Sequence, residues 1–271
     1  MNYRHAFHAG NFADCMKHAL LVWLQGAMAR KPAGVFYLDT HAGIGRYDLS
    51  GPEAQRTGEW HHGIAQLTHP PAVLADYVGL VRELGMYPGS PSLIRARMRP
   101  QDRLACCELH PDDAATLKRL FARDPLVSVH KRDAWEALRA LLPPAEKRAL
   151  VLIDPPYEAS DEFARVADGL RLGYSRFRTG VFAAWYPVKH RQPPREFHLA
   201  LRQSGMRDIV AVELWLRAPL DASRLNGCGL VVINPPFGFE AAAKAILDAL
   251  LERLGTGEAG AGFSVERLVD E

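Results

Sequence analysis

Short apolar runs alternate with amphipathic stretches along most of the chain. "GVFYLD" (34–39), "RLACCEL" (103–109), "LVSVH" (126–130), "ALVLID" (149–154), "GVFAAWYPV" (180–188), "DIVAVELWLR" (208–217) and "CGLVVIN" (228–234) read as seven strands. Between them, apolar positions recur at helical spacing in "DDAATLKRLFARD", "AWEALRALL", about 161–170, about 195–203 and "FEAAAKAILDALLERL". An N-terminal helix is expected over 12–30, capped by Asn11 and stopped by Pro32. Strands that are apolar throughout and alternate with helices predict a mostly parallel, doubly wound α/β sheet. The last two strands lack an intervening helix, so they are expected to form an antiparallel hairpin at the sheet edge, followed by a final helix and a Gly-rich tail. Residues 48–89 interrupt the alternation after the first strand. They hold two helical patterns broken at Pro70 and Pro71, and Ser90-Pro91 then reads as a helix N-cap with proline at the first helical position.

Composition changes this picture little. The 271 residues are 48% hydrophobic and 24% charged, enough for one domain with a full core. No apolar run is long enough to span a bilayer, and the N-terminus lacks a secretory pattern, because Asp14, Lys17 and His18 fall at helical spacing within its apolar part. A cytoplasmic protein with no membrane contact is expected. Cys15, Cys106, Cys107 and Cys228 form no CxxC pair, and no HExxH occurs, so no metal site is expected. The net charge is only +2, but basic residues cluster with aromatics in "YRHAFH", "RLGYSRFRTG" and "YPVKHRQPPR". Any one such run is usually a solvated surface; three of them raise the prospect of a nucleic-acid face.

In an open α/β sheet, ligands sit beyond the carboxyl ends of the strands. Those ends carry Asp39, His41, Gly43 and Gly45, then Glu108, then Asp133, then Asp154-Pro155-Pro156-Tyr157. A Gly-rich turn lets backbone approach a ligand closely. A carboxylate ending the second strand can accept ribose hydroxyls, and one after the third strand could accept from an adenine amino group. Each residue has a plainer reading: Glu108 as a loop residue, Asp133 as an N-cap. Their order favours an adenosine-containing cofactor. The turn is neither a P-loop nor a complete GxGxxG. It resembles the glycine-rich turn of class I methyltransferases that bind S-adenosylmethionine, with His41 in place of the first glycine.

The Asp154-Pro155-Pro156-Tyr157 turn resembles the catalytic signature of methyltransferases acting on planar amino groups. The Asp154 carboxylate and the Pro155 carbonyl can accept the two N–H bonds of an adenine amine, and Asp154 can take the released proton. Tyr157 offers a face for stacking an extruded base. Asn234-Pro235-Pro236-Phe237 has the same form, but no cofactor turn follows it. It is expected to be a strand stop near the sheet edge, with at most a minor role at the pocket rim.

The stretches "YRHAFHAGNFADCMKH", "YLDTHAGIGRYDL", "RTGEW", "YPGSP", "ELHP", "LIDPPYE", "WYPV" and "VINPPF" together resemble the RlmJ family of 23S ribosomal RNA adenine-N6 methyltransferases. The resemblance implies a class I methyltransferase fold, Rossmann-like and seven-stranded, with a helical insertion at about 48–89 within one domain, 1–271. It implies a monomer that uses S-adenosylmethionine, leaves S-adenosylhomocysteine, and modifies 23S ribosomal RNA free of ribosomal proteins. It places His18, His41, Ser90, Glu108, Asp133, Ala134 and Asp154 around the cofactor; the family usually has Asp-Gly where this chain has Asp133-Ala134. Asp154 matches the catalytic acid/base. Tyr3, His5 and Lys17 match positions that touch the target or close over the site, beside Pro155 and Tyr157 of the Pro-Pro turn. DNA adenine-N6 transfer, glutamine-N5 transfer to protein, and a binding protein that has lost the chemistry are the alternatives.

Overall fold

Two apolar cores, one on each face of a single sheet, organise the molecule. The computed structural model describes residues 4–271, so Tyr3 lies outside the described residues. The elements are, in chain order, α1 (Phe12–Ala29), β1 (Phe36–Asp39), β2 (Arg46–Tyr47), α2 (Pro52–Thr57), α3 (Ala72–Leu84), β3 (Tyr87–Pro88) and α4 (Ser90–Ala96). Then follow β4 (Arg103–Glu108), α5 (Pro111–Leu120), β5 (Val127–Lys131), α6 (Ala134–Leu141), β6 (Ala149–Ile153), α7 (Glu162–Arg176), β7 (Val181–Val188) and α8 (Gln192–Arg202). The chain closes with β8 (Ile209–Trp215), β9 (Gly227–Ile233), α9 (Phe239–Leu254) and β10 (Gly262–Val269). No helix among the described residues is long and apolar enough to cross a membrane.

The main sheet has the order β10-β8-β9-β7-β6-β1-β4-β5. Five strands, β5, β4, β1, β6 and β7, run parallel; β9, β8 and β10 pair antiparallel. Strand residues divide between the two cores by the two-residue period. In β6, Leu150 and Leu152 join the core beneath α1, α3, α4 and α9, while Val151 and Ile153 join the one beneath α6, α7 and α8. Burial on both faces explains why these strands read as continuous apolar runs rather than alternating ones.

The sheet differs from expectation at one end. It has eight strands, not seven, because "GFSVERLV" in the presumed tail forms β10 along β8. The β8–β9 hairpin exists, but it is not the edge: β9 lies between β7 and β8, and β10 covers the strand that would otherwise expose its hydrogen-bonding groups. Asn234 therefore stands at the opposite rim from Asp154, since β9 runs antiparallel to β7 and Ile233 pairs with Phe182 at the start of β7. Its side chain donates to the carbonyls of Arg178 and Gly180, both at 2.7 Å, and its own φ is 52°. It is a strand stop, without a place at the pocket rim.

The α1 expectation holds, with the Asn11 side chain accepting from the Asp14 amide. The Ser90 cap does not. Gly89 is the N-cap of α4, and Ser90 is already helical. Its hydroxyl instead faces the carboxylate of Asp39 and favours its charged form. Residues 46–47 pair antiparallel with 87–88, bringing together the two ends of the segment that carries α2 and α3.

Candidate active site

The carboxyl ends of β1, β4, β5 and β6 open into one cavity of about 1860 Å³. Every described candidate residue lines it: His5, Lys17, His18, His41, Ser90, Glu108, Asp133, Ala134, Asp154, Pro155 and Tyr157.

At the end of β1 the turn is built by conformation. Gly43 and Gly45 have φ of 59° and 80°, and a Cβ at Gly43 would collide with the Tyr47 hydroxyl. The Gly43 amide donates to Glu108 Oε2 at 2.9 Å, and the His110 amide to Oε1 at 2.8 Å. Glu108 thus ties the glycine turn to the end of β4. Burial pushes its carboxyl above the usual range, against the pull of those amides. Asp133 caps α6 through Oδ1, which accepts from Trp135 and Glu136. Both bonds use one oxygen, so capping and a second acceptor role at Oδ2 are compatible. The two sequence readings of Asp133 do not compete.

His41 crosses from β1 toward β6. The Asp154 amide donates to its Nδ1 at 3.3 Å, and the Thr40 hydroxyl lies 2.9 Å from the same nitrogen while bonding the Leu152 carbonyl. Burial pulls the His41 imidazole down to about 4, so it is neutral at neutral pH. His18 is more deeply buried, with Nδ1 3.0 Å from the Tyr87 hydroxyl, and burial pulls it down to about 3.

Asp154 follows β6 directly. Its Oδ2 accepts from Lys17 Nζ at 2.7 Å, and the same ammonium stands 2.8 Å from Asp14 Oδ1. Asp14 in turn faces His5 Nε2 at 2.9 Å and accepts the Gly10 amide at 3.0 Å. Burial pushes the Asp14 carboxyl up, but the facing His5 imidazole and Lys17 ammonium outweigh it and hold the group well below the carboxylate range. Burial likewise pulls Lys17 down, and Asp14 and Asp154 more than reverse it, so the ammonium stays charged. Two carboxylates flanking one ammonium suit a low-dielectric site, where an unpaired charge is costly. Tyr157, with φ of 52°, donates to the Trp185 carbonyl at 2.9 Å and packs edge-on to Phe163 and Trp185.

Asp14 was not singled out from the sequence as a site residue. A signal was present, because Asp14, Lys17 and His18 put three polar groups on one turn of an otherwise apolar helix. Trp185 and Phe163, which complete the aromatic wall, gave no such signal; each reads as core on its own element.

The cavity suits an adenosine-containing cofactor in its donor and acceptor set. The glycine turn admits close backbone approach, Glu108 stands at the end of the second parallel strand, and Asp133 has an oxygen to spare.

The family model described as "Ribosomal RNA large subunit methyltransferase D, RlmJ" matches residues 32–269. The Haemophilus influenzae protein named ribosomal RNA large subunit methyltransferase J is 42% identical over 270 residues, covering 95% of this chain and 96% of that protein. The Escherichia coli protein of the same name is 40% identical, covering 98% of this chain and 99% of its own. A crystal structure of a Legionella pneumophila protein superimposes with a TM-score of 0.88 at 35% identity, covering 96% of this chain and 98% of that one. Matched over most of its length by the family model and nearly end to end by these relatives, the chain belongs to the RlmJ family.

Proposed function

We propose that this protein transfers a methyl group from S-adenosylmethionine to N6 of an adenosine in 23S ribosomal RNA, releasing S-adenosylhomocysteine. In this reading it is one methyltransferase domain, 1–271, with 48–89 inserted in it, and it acts as a cytoplasmic monomer on RNA free of ribosomal proteins. The observation that carries the chemistry is the placement of Asp154: it ends β6 beside the glycine turn, with Oδ2 held by Lys17 and an aromatic wall three residues on.

His18, His41, Ser90, Glu108, Asp133, Ala134 and Asp154 would hold the cofactor, whose sulfonium supplies an electrophilic methyl group. The target base would lie against Tyr157. Lys17 leaves Asp154 Oδ1 to accept one N–H of the amine, and the Pro155 carbonyl accepts the other. Two acceptors on one amine draw its lone pair out of conjugation with the ring and direct it along one line. Asp154 then takes the proton that the alkylated nitrogen releases. Neutral His41 holds the Asp154 backbone without adding charge. Tyr3, His5 and Lys17 would close over the target.

The RNA reading is favoured over DNA and protein substrates because the two near-full-length relatives carry ribosomal RNA methyltransferase names. The test is incubation with tritiated S-adenosylmethionine and, separately, protein-free ribosomal RNA, genomic DNA and release factors. Label in the RNA at N6 of adenosine is expected, lost in Asp154→Ala and kept in Asn234→Ala. Label confined to DNA or protein refutes the substrate.

A further inference from the structure

The three basic runs meet three different fates in the fold. In the first, Arg4 lies 3.8 Å from Asp113, His5 bonds Asp14, and His8 bonds Glu59 at 2.8 Å. The second stands at the opposite rim, where α7 ends and β7 begins. There Arg171 pairs with Asp168 at 3.3 Å, Arg176 bonds the Leu142 carbonyl at 2.7 Å, and Arg178 covers the Tyr174 ring. Its charges are used within the protein.

The third run differs. Lys189, Arg191 and Arg195 are exposed, and among the described residues none of them makes an ion pair or a side-chain hydrogen bond. Arg191 and Arg195 act through space on Glu213, but that carboxylate accepts the Tyr186 hydroxyl at 3.0 Å and forms no pair with them. Arg191 and Arg195 are also four apart at the start of α8, where like charges repel by about 0.2–0.5 kcal/mol. A local conflict of this kind, with no ion pair inside the fold to offset it, is typical of a functional surface. The run leaves the end of β7, directly after Trp185, whose carbonyl holds Tyr157. Lys189 and His190 line the mouth of the cavity. Beside the run, in the loop that the Asn226 side chain ties to the Lys189 carbonyl, Arg217 and Arg224 both pair with Glu258.

We propose that Lys189, Arg191 and Arg195 form a phosphate-binding rim that grips the RNA backbone flanking the target nucleotide, on the Tyr157 side of the cavity. The proposal rests on the RNA reading above. The rim holds the strand while the base is splayed toward Tyr157, and it reads charge rather than sequence.

The test compares Lys189→Ala/Arg191→Ala/Arg195→Ala, and the Glu triple variant, with the wild type and with Arg171→Glu on the far rim. Binding of protein-free 23S ribosomal RNA is titrated across salt concentrations, alongside transfer kinetics, S-adenosylmethionine affinity and thermal unfolding. The alanine triple variant is expected to lower the slope of log affinity against log salt by about 0.7–0.9 per lost phosphate contact. KM for RNA rises, kcat at saturating RNA is kept, and cofactor affinity and melting temperature match the wild type. Arg171→Glu leaves all of these unchanged. An unaltered slope and KM in both triple variants, with wild-type transfer to RNA intact, overturns the rim alone. Equal loss in Arg171→Glu also overturns it, since the effect would then be net charge. Failure of the wild type to bind or label RNA overturns the substrate reading, and the rim with it.

Discussion

Lys17→Met tests the electrostatic reading of the site most directly. The change keeps the length and apolar stem of the side chain and deletes one charge. Lys17, Asp14 and Asp154 have side-chain exposures of 6%, 2% and 16%, so the ammonium neutralises two carboxylates with little help from solvent. Removing one partner of a buried pair costs about 3–5 kcal/mol, because the remaining charge is left desolvated. Two features reduce that here: Asp154 reaches solvent, and Asp14 keeps the Gly10 amide and His5. The lower end, about 3 kcal/mol, is expected, or a fall in melting temperature of about 6–12 °C at about 2–4 °C per kcal/mol. Urea unfolding at pH 7 measures the first and calorimetry the second. The cause is checked by a cycle with Asp14→Asn. If the cost is stranded charge, the double variant loses less than the sum of the single ones, by more than about 1 kcal/mol. A single-variant cost under about 1 kcal/mol, or strict additivity, would show that the ammonium is dispensable and the triad is not a unit. At 25 °C the folded variant should also lose most methyl transfer, since nothing else among the described residues holds Asp154 Oδ2.

Asp39 makes a prediction about pH. It is fully buried, with Oδ2 unpartnered, and burial pushes its carboxyl from 3.8 to about 7. A raised carboxyl binds its proton more tightly in the folded state, so its contribution is complete below about pH 4 and lost as pH rises to 7. Asp39→Asn should gain on the wild type across that window, by up to about 4 kcal/mol at 1.36 kcal/mol per pH unit; parallel stability curves from pH 4 to 8 refute this. Tyr157→Ala should cost about 1–3 kcal/mol in RNA-dependent transfer through lost stacking, whereas Tyr157→Phe, which loses only the bond to the Trp185 carbonyl, should cost much less; equal effects would deny the ring its role. Asn234→Ala should destabilise the fold by about 1–3 kcal/mol, having lost two hydrogen bonds and the residue type suited to its positive φ, while transfer per folded molecule is unchanged. A stable but inactive Asn234→Ala would reverse the assignment of the two Pro-Pro turns.

Much of the fold is legible in the chain because its signals are local. Four of the parallel strands, β4, β1, β6 and β7, are buried on both faces and must be apolar throughout, and the residues that end them must be polar if they bear a ligand. The runs ending in Asp39, Glu108 and Asp154 therefore announce both a sheet and a rim. Asn11 caps α1 by a side-chain bond spanning three residues, which sequence spacing alone can show. Strand β10 had no such signal strong enough. "GFSVERLV" follows Gly-rich sequence, and what makes it a strand is the unpaired edge of β8, reached only after α9 folds back. Ser90 shows the same limit: Gly89 caps the helix, and the Ser90 hydroxyl faces the buried Asp39 carboxylate.

The look-alike turns mark where tertiary structure decided. Asp154 and Asn234 end apolar strands with the same Pro-Pro grammar, but β6 runs parallel to β1 and β9 runs antiparallel to β7. Strand direction is not encoded in a six-residue run, and it sends one turn to the cavity and the other to the far rim. The pairing of Lys17 with Asp154 spans 137 positions. Helical spacing could place Asp14, Lys17 and His18 on one face of α1, but only packing of α1 across the sheet could bring that face to the end of β6. The sequence by itself determined which chemical groups stand at strand ends and helix faces. The fold decided which of them meet, because contact between distant segments depends on strand order and direction, which no local pattern carries.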